Sequence, residues 1–320
     1  DMHPDNFVGD TAVWWLEDRK ANSPFFLQIG FPGPHPPYDP TDEFLAIYKD
    51  TEFPHRAASQ QELAQQPKMH QQLRQSMVDF NIDSVAWREN LTDEDIQRLQ
   101  RYYAANVSMI DQKVGQIMDC LDKQGHLDNT IVIFCSDHAD ALGEHGHIQK
   151  WTMYDCVTRV PLVFWAPDRV KKQQQCDDLV QLMDIAPTIL QFAGIDPPSN
   201  WEALAMNKML TSGCWDEQDP NEKLRDYVYA ELGRDHIQSG AEYVIMRRDN
   251  CWKYVIYPGT QDGELYDLQN DPNETENLWH DPQFLEQRKD AMIEILAWSN
   301  LGNFRGNRPL PKNPQTPMKI

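Results

Sequence analysis

Asn129-Thr130-Ile131-Val132-Ile133-Phe134-Cys135-Ser136-Asp137-His138-Ala139-Asp140 is the stretch that decides the fold. Its apolar run, Ile131 to Cys135, has the composition of a short strand buried on both faces, the kind found inside parallel sheets. The run passes directly into Asp137-His138, so a carboxylate and an imidazole stand at the strand's carboxyl end, where open α/β sheets bind their ligands. Upstream, residues 10–20 fit a helix, and Phe25-Phe26-Leu27-Gln28-Ile29-Gly30-Phe31 reads as a second buried strand. That strand stops in Pro32-Gly33-Pro34-His35-Pro36-Pro37, a stiff loop that presents His35 at the same edge of the sheet. Between the two strands, Leu99, Tyr102, Tyr103, Val107, Ile110, Val114, Ile117, Met118 and Leu121 recur at helical spacing. They predict one long amphipathic helix from Asp93 to Leu121, closed by Gly125. A third strand, Val160–Trp165, follows the Asp137 loop. Helix and strand alternate, so the expected class is α/β, with a mainly parallel mixed sheet flanked by helices.

After Pro197-Pro198 the pattern changes to short strand candidates at 227–231, 243–246, 252–256 and 264–268, then a helix over 284–298. Strands followed by a helix predict a small antiparallel α+β subdomain. The expected division is 1–205 for the α/β part, 206–302 for the subdomain and 303–320 for an extended tail. Residues 40–95, polar and rich in Gln, read as an irregular surface excursion with one or two short helices. The six cysteines are scattered singly, without a C-x-x-C pair, and read as structural thiols.

The chain has 320 residues with a net charge of −21, a field that repels nucleic acid and anionic membrane. With 40% hydrophobic residues it has ample material for a core, and no stretch approaches the roughly 18 apolar residues that span a bilayer. Neither a nucleic-acid nor a membrane partner is expected. Asp1 follows no basic or apolar leader, so the chain reads as soluble with a beginning that looks cut.

The loop from Asp137 to His147 gathers Asp137, His138, Asp140, Glu144, His145 and His147 around two glycines. That density of carboxylate and imidazole suits a divalent cation or an anion. Lys150, just beyond, is a flexible point charge fit for a tetrahedral anion. If the His35 turn converges on this loop, the two strand ends make one pocket.

The residues resemble the type I sulfatases of the alkaline phosphatase superfamily. Tyr103-Ala104-Ala105-Asn106-Val107-Ser108-Met109-Ile110-Asp111 and Asp128 through His138 are similar to that family's long helix and strand. Pro34-His35-Pro36-Pro37-Tyr38 is similar to its P-H-x-P-[FY] turn, and Lys150, Tyr154, Asp155, Arg159 and Pro161 reproduce its K-x3-Y-[ED]-x3-R-x-P spacing. Asp184–Leu190 resembles its next helix, and Trp252-Lys253-Tyr254 with Glu264–Leu268 resembles its C-terminal strands. The resemblance implies an alkaline phosphatase-like fold and hydrolysis of sulfate esters, on a sulfated small molecule or polysaccharide. Asp137 and His138 would be two ligands of a single divalent cation, calcium as first choice and manganese or zinc as the others. Lys150 would contact sulfate oxygens, and His35 would hold the sulfate or protonate the leaving alcohol. His147 would be a further substrate contact. A periplasmic, secreted or lysosomal location is likewise implied.

One departure from the family pattern carries weight. The family nucleophile is a formylglycine made within a C-x-[PA]-x-R motif, and none of the six cysteines here has Pro or Ala at +2 and Arg at +4. The family's other two metal ligands also lie upstream of the P-H-x-P turn. Residues 1–205 therefore resemble the back part of a catalytic domain, which would need an N-terminal segment of the same enzyme to turn over. Two other readings stand beside this one. A phosphonate monoester hydrolase or phosphodiesterase of the same superfamily also suits Asp-His, and a carbohydrate-binding relative without catalysis would need no nucleophile.

Overall fold

The computed structural model describes residues 3–19, 23–79, 85, 88–172, 174–213, 223–233 and 241–307. The described chain divides into two compact units. One comprises the chain up to Ala64 with Lys68–Asp168, and the other comprises Gln65–Pro67 and the chain from Arg169 onward.

The spine of the first unit is α5 (Asp93–Lys123), preceded in chain order by α1 (Pro4–Asp18), α2 (Asp42–Ile47), α3 (Gln60–Gln65) and α4 (Lys68–Asp79). Its start is written in the sequence: the Thr92 hydroxyl accepts the Asp95 N–H, and the Asp95 carboxylate accepts the Thr92 N–H at 2.9 Å. This reciprocal cap satisfies two amide donors that the helix itself leaves unpaired, and Asp93, Glu94 and Asp95 complement the positive helix start. Thr92→Ala should cost about 1 kcal/mol, measurable as a lower urea midpoint at unchanged m-value.

One face of α5 buries Ile117, Cys120 and Leu121 against Ala12 and Leu16 of α1, with Phe25, Leu27, Ile29 and Phe31 packed on the same cluster. Segment 25–31 is thus extended with its odd-numbered residues turned inward, while Phe26 is 72% exposed. The sequence reading had it buried on both faces. β1 (Val132–Cys135) and β2 (Leu162–Trp165), separated by the short α6 (Asp155–Thr158), pair antiparallel with Val132 opposite Trp165 and Cys135 opposite Leu162. No parallel ladder forms among the described residues. Apolar runs report burial, and they do not encode the direction in which a neighbouring strand runs.

Residues 40–95 do more than decorate the surface. Leu73 and Met77 of α4 are buried with Tyr38, Leu99 and Ile148 in one cluster, and Glu62 and His70 are interior. The sparse apolar residues of this polar stretch fall on one face of α4, so low overall hydrophobicity concealed a buried stripe.

The second unit holds α7 (Ile185–Phe192), α8 (Asn207–Ser212) and an antiparallel sheet in the order β3 (Val228–Leu232), β4 (Val244–Arg248), β5 (Trp252–Ile256), β6 (Gly263–Asp267). Ala291 and Ile295 of α9 (Leu285–Asn307) close this sheet by packing with Ile245, Tyr254, Leu265 and Trp279. A Cβ on Gly263 would lie 2.3 Å from the Trp279 ring, so this edge accepts only glycine. Helix α9 runs past the expected start of the tail at 303, and the remainder of that tail, from 308, lies outside the described residues. Cys176 is disulfide-bonded, in contrast to the thiol expected for it, because single scattered cysteines give no sign of long-range pairing. No helix among the described residues is long and apolar enough to cross a membrane.

Candidate active site

The loop leaving β1 exposes Asp137, whose side chain is 85% accessible. One carboxylate oxygen accepts the His138 N–H at 2.9 Å and the other lies 3.5 Å from His138 Nε2. His138 Nδ1 is 3.0 Å from the Ala139 carbonyl, which can only accept, so Nδ1 carries the proton and the Nε2 lone pair points elsewhere. A backbone carbonyl that fixes a tautomer in this way is the usual outer support of a metal-binding histidine. Asp137 and His138 therefore fit a cation as adjacent oxygen and nitrogen donors.

The Pro-rich turn treats His35 the same way. His35 is exposed, its N–H bonds to the Pro32 carbonyl at 3.3 Å, and Nδ1 donates to the Pro36 carbonyl at 2.8 Å. Nε2 is left as the atom that can accept or deliver a proton. Both bonds flanking this segment's prolines, Gly33-Pro34 and Pro36-Pro37, are cis.

A clamp that sequence reasoning missed joins the turn to the loop. The Tyr38 hydroxyl donates to Asp140 Oδ2 at 2.7 Å, and Asp140 Oδ1 accepts the N–H groups of Leu142 and Gln149 at 2.9 and 2.8 Å. Ala141 N–H also bonds to the Gln149 carbonyl. One carboxylate thus closes the loop on itself and ties it to the His35 turn. Burial raises the Tyr38 phenol strongly, with Asp140 adding to it, so this hydroxyl stays a donor. Burial also pushes Asp140 upward, against the hydrogen bonds from Tyr38, Leu142 and Gln149. Tyr103 of α5 supports Tyr38 edge-on, its ring centroid 5.7 Å away. Tyr38→Phe removes a hydrogen bond to a charged acceptor and should cost about 1.5–3 kcal/mol in thermal or urea unfolding.

Within the closed loop, Leu142, His145, Gln149 and Trp151 all have positive φ, a concentration of left-handed backbone that only a well-determined loop sustains. Gly143 has φ 99°, and a Cβ there would lie 2.8 Å from Ile96. Lys150 is half-buried between two of these residues, with Nζ 5.6 Å from the Trp151 ring centroid.

His147 is placed differently from the substrate contact expected of it. It is 3% exposed, with Nε2 3.2 Å from Arg74 Nη1 and its ring against His70 at 4.9 Å. Burial, followed by the neighbouring His70 and Arg74, drives its pKa well below the ordinary histidine value, so it is neutral. His145, also buried, stacks on Tyr154 at 3.7 Å and meets Glu62 Oε1 through Nδ1 at 2.7 Å. Burial raises the Glu62 carboxyl, but hydrogen bonds and charge from Arg56 and His145 outweigh it and bring the pKa down to about 2. The sequence offered no sign of Glu62, Arg56, His70 or Arg74, because they come from the polar 40–95 stretch and meet the loop only in three dimensions.

The family pattern described as N-sulphoglucosamine sulphohydrolase, C-terminal, matches residues 143–299. An arylsulfatase of Clostridium perfringens is 27% identical over 99% of this chain, and an N-acetylglucosamine-6-O-sulfatase of Bacteroides thetaiotaomicron is 25% identical over 90%. The chain spans 63% and 60% of those two proteins. Among solved structures, a complex with the substrate D-glucosamine-2-N,6-O-disulfate superposes with TM-score 0.77 at 23% identity, over 97% of this chain and 72% of that one. At that identity the likeness speaks for the fold, and it bears out the alkaline phosphatase-like α/β class with an antiparallel C-terminal part. The phosphonate monoester hydrolase of Agrobacterium radiobacter superposes with TM-score 0.79 at 25% identity, over 94% of this chain and 60% of that one. With the Sulfatase family pattern matched over residues 1–195, the chain belongs to the sulfatase family.

Proposed function

We propose that this chain forms part of a sulfuric ester hydrolase acting on a sulfated carbohydrate, and that residues 1–205 carry its substrate-facing loops. The observation that carries the reading is the Tyr38–Asp140 hydrogen bond, which ties the His35 turn to the loop running from Asp137 to Lys150. Asp137 and His138 would hold a divalent cation, with calcium favoured by the carboxylate and manganese or zinc by the imidazole. When bound, such a cation draws charge from a sulfate oxygen. Lys150 offsets negative charge on the sulfuryl group, and His35, its Nδ1 latched to a carbonyl, passes a proton at Nε2 to the departing alcohol. His147, buried against Arg74, supports the loop from behind, and reaching the sugar would require the loop to open.

The nucleophile motif is not among these 320 residues, so we propose that an N-terminal segment of the same enzyme completes the site. Phe26, Phe134 and Val163, exposed at 72%, 43% and 53% on extended segments of the first unit, offer apolar surface for it. The Cys176 disulfide favours an oxidising compartment, in keeping with a periplasmic, secreted or lysosomal enzyme. The test is sulfate release from a 6-O-sulfated glucosamine by the 320-residue chain alone and by the chain joined to a segment with a C-x-[PA]-x-R motif. Release only by the joined form is expected, and release by the chain alone sinks the incomplete-site reading. The likeness to the phosphonate monoester hydrolase favours a second reading, checked by offering the joined form a phosphonate monoester in parallel.

A further inference from the structure

We propose that Glu144, His145 and Cys156 form a zinc site separate from the Asp137–His138 pair, pinning the Lys150 loop to α6. One ligand atom from each of the three lies within 4.8 Å of the others. They come from two elements: Glu144 and His145 from the turn 144–146, and Cys156 from α6. A tetrahedral zinc with bonds of about 2.0–2.3 Å sets ligand atoms about 3.5 Å apart, so closure needs roughly 1 Å of side-chain movement.

The donor set decides the class of ion. A thiolate beside an imidazole selects zinc or a similar borderline metal over calcium, whereas exposed Asp137 offers hard oxygen. Zinc entry converts the Cys156 thiol to thiolate and releases its proton to solvent.

The surroundings of His145 supply a second observation. Glu62 Oε1 sits 2.7 Å from His145 Nδ1, and Glu62 is held in turn by both Arg56 Nη atoms, at 2.5 and 2.8 Å. A carboxylate hydrogen-bonded to one ring nitrogen is the arrangement that recurs behind zinc-binding histidines. The Arg56 charge is neutralised by the same carboxylate. His145 is further immobilised by parallel stacking on buried Tyr154 and takes a left-handed backbone, φ 53°. A structural role for His145 alone would not require a thiol and a carboxylate gathered beside it.

The test uses cobalt as a spectroscopic stand-in on the full 320-residue chain. A thiolate-to-cobalt charge-transfer band should appear, vanish in Cys156→Ser, persist in Asp137→Asn, and need about 10–100-fold more cobalt in Glu62→Gln. In the unmutated chain, added zinc should protect Cys156 from alkylation, read by peptide mass spectrometry. That arm holds even if Cys156→Ser misfolds. No band in the unmutated chain, a band that survives Cys156→Ser, or Cys156 alkylated equally with and without zinc would each overturn the proposal.

Discussion

In an enzyme completed with its nucleophile segment, Lys150→Ala should lower kcat/KM for sulfate ester hydrolysis by about 10²–10³-fold, the usual cost of losing one preorganised charge or donor at a developing anion. The size of this effect follows from how Lys150 is held. Its neighbour Gln149 donates its N–H to Asp140 and accepts from Ala141 N–H, so the backbone position of Lys150 is set by two hydrogen bonds from the loop. The ammonium lies against Trp151, partly shielded from water, where a charge interacts more strongly than at full exposure. Lys150→Arg restores the charge but substitutes a planar fork for a point charge, so partial recovery is expected. Steady-state kinetics distinguish the roles. A fall in kcat marks stabilisation of the transition state, and a rise in KM alone marks ground-state binding. A loss below tenfold in kcat/KM is incompatible with the assigned role.

The largest stability effect belongs to the second unit, at Asp184. This carboxylate is fully buried and accepts both guanidinium nitrogens of Arg225 at 2.7 Å, together with the N–H groups of Gln181 and Leu204 at 2.8 Å. Arg225→Ala leaves the negative charge buried with only neutral donors, which should cost about 3–5 kcal/mol. Urea unfolding followed by far-ultraviolet circular dichroism measures it. Removing both charges with Arg225→Met and Asp184→Leu should recover only part of that loss, since the Gln181 and Leu204 amides then go unsatisfied. A loss near zero for Arg225→Ala would mean that water reaches Asp184 and that the pair is a surface feature.

The parts of the fold legible in the sequence are those governed by local physics. The apolar spacing announced α5 from Asp93 and Gly125 its end, because helical periodicity and left-handed glycine are short-range requirements. The four strands of the second unit matched to within a residue or two at most ends, because each is a bounded β-branched or aromatic run. The antiparallel pairing of β1 with β2, the one-sided burial of 25–31 and the inward face of α4 were not legible, since each depends on which neighbour arrives across the chain.

The site divides along the same line. Sequence by itself determined which chemical groups stand at the two strand ends: Asp137 and His138 after β1, His35 in a proline-stiffened turn, and Lys150 beyond two glycines. Side-chain identity and the short loops that present it are fixed within a dozen residues. Only the tertiary structure decided that Tyr38 reaches Asp140 across 102 positions, that Glu62 backs His145 across 83, and that His147 turns inward to Arg74. Contacts of that range carry no local pattern. They exist because burying a polar group without a partner is costly, and the partner that meets the cost is found by packing.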